Sequence, residues 1–256
     1  MDFEVSDEQQ LIIDNVRRFI REEIRPLETD LDPDAYRLEP DDDARLREMT
    51  NEMGLYQMGV PEEYGGPGVD TITRTVAASE MSPHRAGLYA PAYGVFGSSP
   101  QGQLYSGTET QKEKYLWPTI RGEKHGFFGL SEPSGGSDPA RAIQTRGIRD
   151  GDEWVINGGK LWNSGADTAD YGIVYVRTDP SKGRQGITAF IVDTDTPGFR
   201  VERLVQVLRA HYTTELSFTD MRVPMRTFSA KKAADSLLQT TTCLENESRI
   251  RQQELV

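Results

Sequence analysis

The sequence predicts an α+β chain of more than one domain, with an all-α N-terminal domain followed by a β-barrel-like middle domain. Its 256 residues suffice for two compact units, since domains commonly hold about 100–150 residues. In the first half, apolar residues recur at steps of three and four; from about Lys124 they gather into short β-branched and aromatic runs. Helical patterns come first and strand patterns after, without the alternation of a doubly wound sheet. The expected divisions are residues 1–122, 123–225 and a weakly ordered tail over 226–256.

The first helix opens at Ser6-Asp7-Glu8-Gln9, a Ser-x-x-Gln capping box. Ile13, Val16, Ile20 and Ile24 then share one face and leave Arg17, Arg18 and Glu22 to solvent. Pro26 disfavours helical geometry at Arg25, so the helix is expected to stop there. A second helix is expected from about Asp41, with Leu46, Met49 and Met53 on one side. Asp41, Asp42 and Asp43 suit its positive end and Gly54 suits its stop. Further helices are expected near 70–81 and 109–120, the latter opening on a second capping box, Thr108-Glu109-Thr110-Gln111.

Strands are expected at His125–Leu130, Glu153–Ile156, Tyr171–Arg177, Gly186–Asp193 and Glu215–Phe218. Asp150-Gly151-Asp152, Asn157-Gly158-Gly159 and Asp195-Thr196-Pro197-Gly198 read as the turns between them. Beyond Arg226, Thr240-Thr241-Thr242 and a charged end offer little apolar surface.

Composition narrows the function classes. Lys plus Arg number 29 against 41 Asp plus Glu, a net charge of -12, which argues against nucleic acid or an anionic membrane as partner. No apolar run approaches the ~20 residues of a membrane span, and the polar start carries no visible export or transit signal. Cys243 is the sole cysteine, which excludes an intrachain disulfide and fits a reducing cytoplasm. His84, His125 and His211 are scattered, so no metal site is expected. Asp30–Asp34 opens like a calcium loop, but Ala35 and Asp41 replace its required Gly and Glu. Pro133 breaks a Gly-x-Ser-x-Gly nucleophile elbow around Ser131, and neither Gly-x-Gly-x-x-Gly nor a P-loop occurs. Lys182 and Arg184 read as surface charge.

One segment carries chemistry. In Gly129-Leu-Ser-Glu-Pro-Ser-Gly-Gly-Ser-Asp138, glycines let backbone N–H groups approach a ligand while Ser131, Ser134 and Ser137 add hydroxyls. An ordinary polar loop shares these features. This segment closely resembles the signature of the acyl-CoA dehydrogenase family. Other stretches follow in that family's order: Asp7-Glu8-Gln9, Gly59–Gly66, Asn157–Ala166, Gly186–Val192, Thr196–Phe199 and Glu215–Pro224. The likeness spans roughly residues 3–224.

The resemblance implies FAD as cofactor and α,β-dehydrogenation of an acyl-CoA thioester, with hydride passing to flavin N5. It implies that Phe128, Leu130 and Ser131 run along the flavin's pyrimidine edge and that Gly136 and Ser137 meet the pyrophosphate. Ser137 would also meet acyl-CoA, Trp162 would pack on the isoalloxazine, and the Ser164 hydroxyl would reach N5. An electron-transfer acceptor and a homo-oligomeric complete protein are also implied. Flavin-dependent monooxygenases share the architecture and form the alternative enzyme reading; a non-catalytic fragment is the other. Arg141 and Asn163 depart from the family pattern. After Pro224 the family continues into a helical bundle carrying the catalytic glutamate, which Met225–Val256 does not resemble. No catalytic residue is therefore expected within this chain, and Glu132 is expected to be a buried, paired carboxylate. The chain alone is expected not to turn over acyl-CoA and to associate through the apolar faces left bare.

Overall fold

The computed structural model describes residues 4–32, 34–81, 91–97, 99–135, 138–208 and 211–224. The tail over 226–256, Gly136 and Ser137 lie outside the described residues. The chain divides into two compact units, one of residues 1–100 with 206–212, the other of residues 101–205 with 213 onward.

The first unit is helical. Helix α1 (Asp7–Phe19) carries the Ser6–Gln9 capping box in both directions, with Ile13, Val16 and Phe19 buried. It does not stop at Arg25. One π-turn (Ile20–Ile24) follows, and α2 (Arg25–Asp30) continues the rod through Pro26. Proline in an α-helix lacks a donor and drives its ring into the carbonyl four residues back. The π-turn relieves this by widening the helix just before the ring, with the Arg25 N–H reaching back to Ile20 O. Helix α3 (Pro40–Glu52) ends at Gly54, whose φ of 68° is the left-handed stop that favours glycine. Helix α4 (Thr71–Met81) packs on α1, and a 3-10 segment (Pro91–Phe96) packs on α3. Val16, Phe19, Ile20, Ile24, Leu46, Ala77 and Phe96 form the core, with Phe19 edge-on to Phe96.

The second unit opens with short helices α5 (Gly102–Tyr105), α6 (Glu109–Gln111) and α7 (Trp117–Ile120). The Thr108–Gln111 capping box is complete. A second π-turn, Lys112–Leu116, again stands directly before an X-Pro pair, Trp117-Pro118. Among the described residues seven strands follow: β1 (Gly126–Gly129), β2 (Arg146–Asp150), β3 (Glu153–Asn163), β4 (Tyr171–Arg177), β5 (Ile187–Asp193), β6 (Phe199–Leu208) and β7 (His211–Pro224). A one-turn helix α8 (Pro139–Ala142) separates β1 from β2.

The sheet order is β1-β4-β2-β3-β7-β6, with β5 antiparallel to β4. The sheet curls, so β1 also meets β3 although two strands lie between them in that order. Phe127, Val174, Val176, Phe190, Leu216 and Phe218 fill the enclosed face. Runs β4 and β5 are buried on both faces, which explains their unbroken apolar sequences.

Two expectations for the strands are corrected. Asn157-Gly158-Gly159 is not a turn but part of β3, which runs on to Asn163. The glycines there accommodate a close neighbour, since a Cβ on Gly158 would lie 2.7 Å from Thr145 Cα. Strands β2 and β6 were not expected, because their charged residues obscure the apolar alternation.

Candidate functional site

The site begins where β1 runs out. Phe127 faces the core and Phe128, its neighbour on the strand, faces the other way, 40% exposed and 5.2 Å from the Tyr175 ring. Leu130 is half-buried and Ser131 is exposed. The Leu161 N–H donates to the Ser131 carbonyl at 2.9 Å, which fixes the end of β1 beside β3.

Strand β3 is irregular at this point. Pairing with β7 slips by one residue between Ile156 and Gly158, where β7 carries the extra residue. It slips back between Leu161 and Asn163, where Trp162 is the extra residue on β3. Without that second bulge, alternation from buried Lys160 would turn the 162 side chain inward. Instead Trp162 takes φ 67° and stands 52% exposed, while Asn163 takes the inward place. Asn163 Nδ2 donates to Thr214 O at 3.3 Å, and Thr214 Oγ1 donates to Asn163 O at 2.7 Å. The departure at Asn163 is thus an interior hydrogen-bonded pair. A left-handed backbone is rare for a bulky residue and costs about 1–3 kcal/mol.

Behind this surface lies a buried ion pair. Glu132 Oε1 is 2.7 Å from Lys160 Nζ, with side-chain exposures of 5% and 0%. Glu132 also accepts the Gln144 N–H at 2.7 Å and the Thr145 N–H at 3.0 Å. Lys160 Nζ donates further to the Leu130 carbonyl at 3.2 Å. Burial pushes the Glu132 pKa up, but the Lys160 charge and the donated hydrogen bonds outweigh it and hold the carboxyl below its ordinary value. Burial pulls Lys160 downward. Donors on Lys160, Gln144 and Thr145 commit Glu132 to structure.

The sequence-derived residues therefore divide. Leu130 and Ser131 bond to Lys160 and Leu161, the residues that lead into Trp162, and Phe128 and Trp162 both stand exposed. Ser164 is exposed at the turn directly after β3. Arg141 is exposed and lies 3.4 Å from Asp138, so its size meets no tight packing. Lys182 pairs with Asp179, and Arg184 lies 3.7 Å from Asp138. Sequence reasoning missed Lys160 and Thr145. With the strand expected to stop at Ile156, no local pattern marked Lys160 as inward-facing; the structure carries β3 on to Asn163.

Such a surface suits a planar, heteroaromatic ligand. An exposed indole on a strained bulge offers a flat apolar face, and Ser131 and Ser164 add hydroxyl donors beside it. The chain belongs to the acyl-CoA dehydrogenase family: residues 6–123 match its N-terminal domain and residues 127–221 its middle domain.

Relatives agree. The short-chain specific acyl-CoA dehydrogenase of Clostridium acetobutylicum is 36% identical over 239 residues, covering 91% of this chain and 60% of that protein. A probable acyl-CoA dehydrogenase from Mycobacterium abscessus superposes with a TM-score of 0.77 at 28% identity, covering 92% of this chain and 62% of that one. A glutaryl-CoA dehydrogenase from Mycobacterium smegmatis, solved in complex with FADH2, gives 0.68 at 30% identity over 87% of this chain and 55% of that one. The chain thus spans about 60% of the length of its relatives.

Proposed function

We propose that this chain forms the flavin-holding part of an FAD-dependent acyl-CoA dehydrogenase. The observation that carries the reading is Trp162, held exposed at positive φ beside the exit of β1. Strain of this kind persists where the surrounding structure enforces it, and it concentrates at ligand sites. In this reading the indole packs on the isoalloxazine, Phe128 and Leu130 line its edge, and Ser131 and Ser164 donate to its polar atoms. Gly136 and Ser137 would hold the pyrophosphate, with Ser137 also meeting acyl-CoA. Bound FAD would supply acceptance of a hydride from the acyl chain. The protein's own part is to bind the ring, shield one face from water and aim donors at its edge.

Glu132 is not offered as the base that removes the α-proton, because its carboxylate is already committed to Lys160, Gln144 and Thr145. The reading therefore has these 256 residues bind FAD without turning over acyl-CoA. An electron acceptor, a cytoplasmic setting and a homo-oligomeric whole protein belong to the same proposal.

Titration of the chain with FAD tests it. Saturable quenching of flavin fluorescence, abolished in Trp162→Ala, is expected. Absence of binding, or binding indifferent to Trp162, would sink the reading. A panel of acyl-CoA thioesters with an artificial electron acceptor is expected to give no turnover.

A further inference from the structure

Lys160 is the only lysine buried among the described residues. An apolar side chain of its size could fill the same place, often with no loss of stability. What an apolar residue could not do is hold an acceptor. Lys160 Nζ takes the Leu130 carbonyl at 3.2 Å and Glu132 Oε1 at 2.7 Å, on either side of exposed Ser131. The carbonyl of Leu130 is therefore drawn inward, away from the surface. In a trans peptide the C=O and the following N–H point in opposite directions, so the Ser131 N–H is turned outward. Among the described residues there are no cis peptide bonds. A second contact fixes the other side of the residue, since the Ser131 carbonyl accepts the Leu161 N–H at 2.9 Å.

We propose that Lys160 is a positioning residue for the cofactor: by holding the Leu130 carbonyl inward, it aims the Ser131 N–H at the flavin's edge. This rests on the flavin reading above and deepens it. Glu132 keeps the ammonium in place, and the Gln144 and Thr145 N–H groups keep Glu132 in place. The chain of contacts runs from the β2 entrance through the ion pair to one peptide plane.

The test separates aim from stability. Lys160→Met alone leaves Glu132 buried without its partner and is expected to unfold readily. The double variant Glu132→Gln/Lys160→Met removes both charges and is expected to melt close to the wild type. Its FAD dissociation constant is nevertheless expected to rise roughly tenfold, the loss of one aimed hydrogen bond. A folded double variant that binds FAD as tightly as wild type, with the same visible spectrum, would overturn the proposal while leaving the flavin reading intact. Wild-type chain that takes up no FAD would overturn both. A second measurement needs no variant: amide exchange at Ser131 is expected to slow when FAD is added. An unchanged Ser131 exchange rate in FAD-saturated protein would overturn the proposal.

Discussion

Phe127 and Gly172 stand opposite each other in the parallel β1–β4 pair, and the phenyl ring occupies the space a Cβ would need. A Cβ built on Gly172 would lie 2.1 Å from Phe127 Cζ. Phe127 is 2% exposed, so its ring has nowhere to retreat. Gly172→Ala is therefore expected to cost about 2–3 kcal/mol of unfolding free energy, the range for overpacking a filled core. Urea denaturation checks this, and a Phe127→Leu change in the same chain is expected to recover part of the loss. A fully additive pair would contradict the contact.

Trp162 offers the opposite sign. Asn tolerates a left-handed backbone far better than Trp, and the indole is half exposed, so little burial is lost on replacement. Trp162→Asn is expected to leave stability unchanged or raise it by up to about 1 kcal/mol. FAD affinity is expected to fall in the same protein. A loss of stability instead would show that the indole serves packing.

Acid should weaken the fold partly through Glu132. Its folded pKa lies below the ordinary 4.5, so its contribution is present above that value and fades as pH falls through the lower folded one. Unfolding free energies measured from neutrality down to about pH 3 are expected to fall less steeply in Glu132→Gln/Lys160→Met than in wild type. Parallel curves would exclude the pair as a source of acid sensitivity.

Base acts through Tyr171. Burial pushes its phenol up to about 12 from 10.0, and its hydroxyl lies 2.8 Å from Thr119 Oγ1. The neutral phenol is favoured in the fold, so this stability is whole below 10.0 and is lost as pH rises toward about 12. Tyr171→Phe is expected to flatten the alkaline limb of the stability curve while lowering neutral stability by about 1 kcal/mol through the lost hydrogen bond. An unchanged alkaline limb would assign that sensitivity elsewhere.

Much of this was legible in the amino-acid order, for reasons that differ by element. The capping boxes at Ser6 and Thr108 are local, and both formed. Runs β4 and β5 announce themselves because burial on both faces demands continuous apolar residues. Pro26 misled because a π-turn spreads its steric cost over the preceding residues, and nothing in residues 20–24 signals that. Strand β6 hid because most of its residues are exposed and Arg200, Glu202 and Arg203 interrupt its apolar alternation. Within the site, glycines and hydroxyls marked the turn. Lys160 reads as an ordinary surface lysine until topology brings Glu132 beneath it.

The two slips between β3 and β7 have a consequence for the strands that carry them. In crystal terms they are a pair of dislocations of opposite sign: the extra residue on β7 is cancelled by the extra residue on β3, and the original register is restored at Asn163, the last residue of β3. Each defect also holds a left-handed residue, Asp220 on one strand and Trp162 on the other. Asn157 braces the first, its side chain donating to Asp220 Oδ1 at 3.1 Å and accepting the Asp220 N–H at 2.9 Å. Excising Trp162 alone would leave an uncancelled fault, and Asn163 would lose its seat opposite Thr214. Excising Trp162 and Asp220 together would annihilate the pair and restore a plain ladder, intact as a scaffold and blank where the indole had stood.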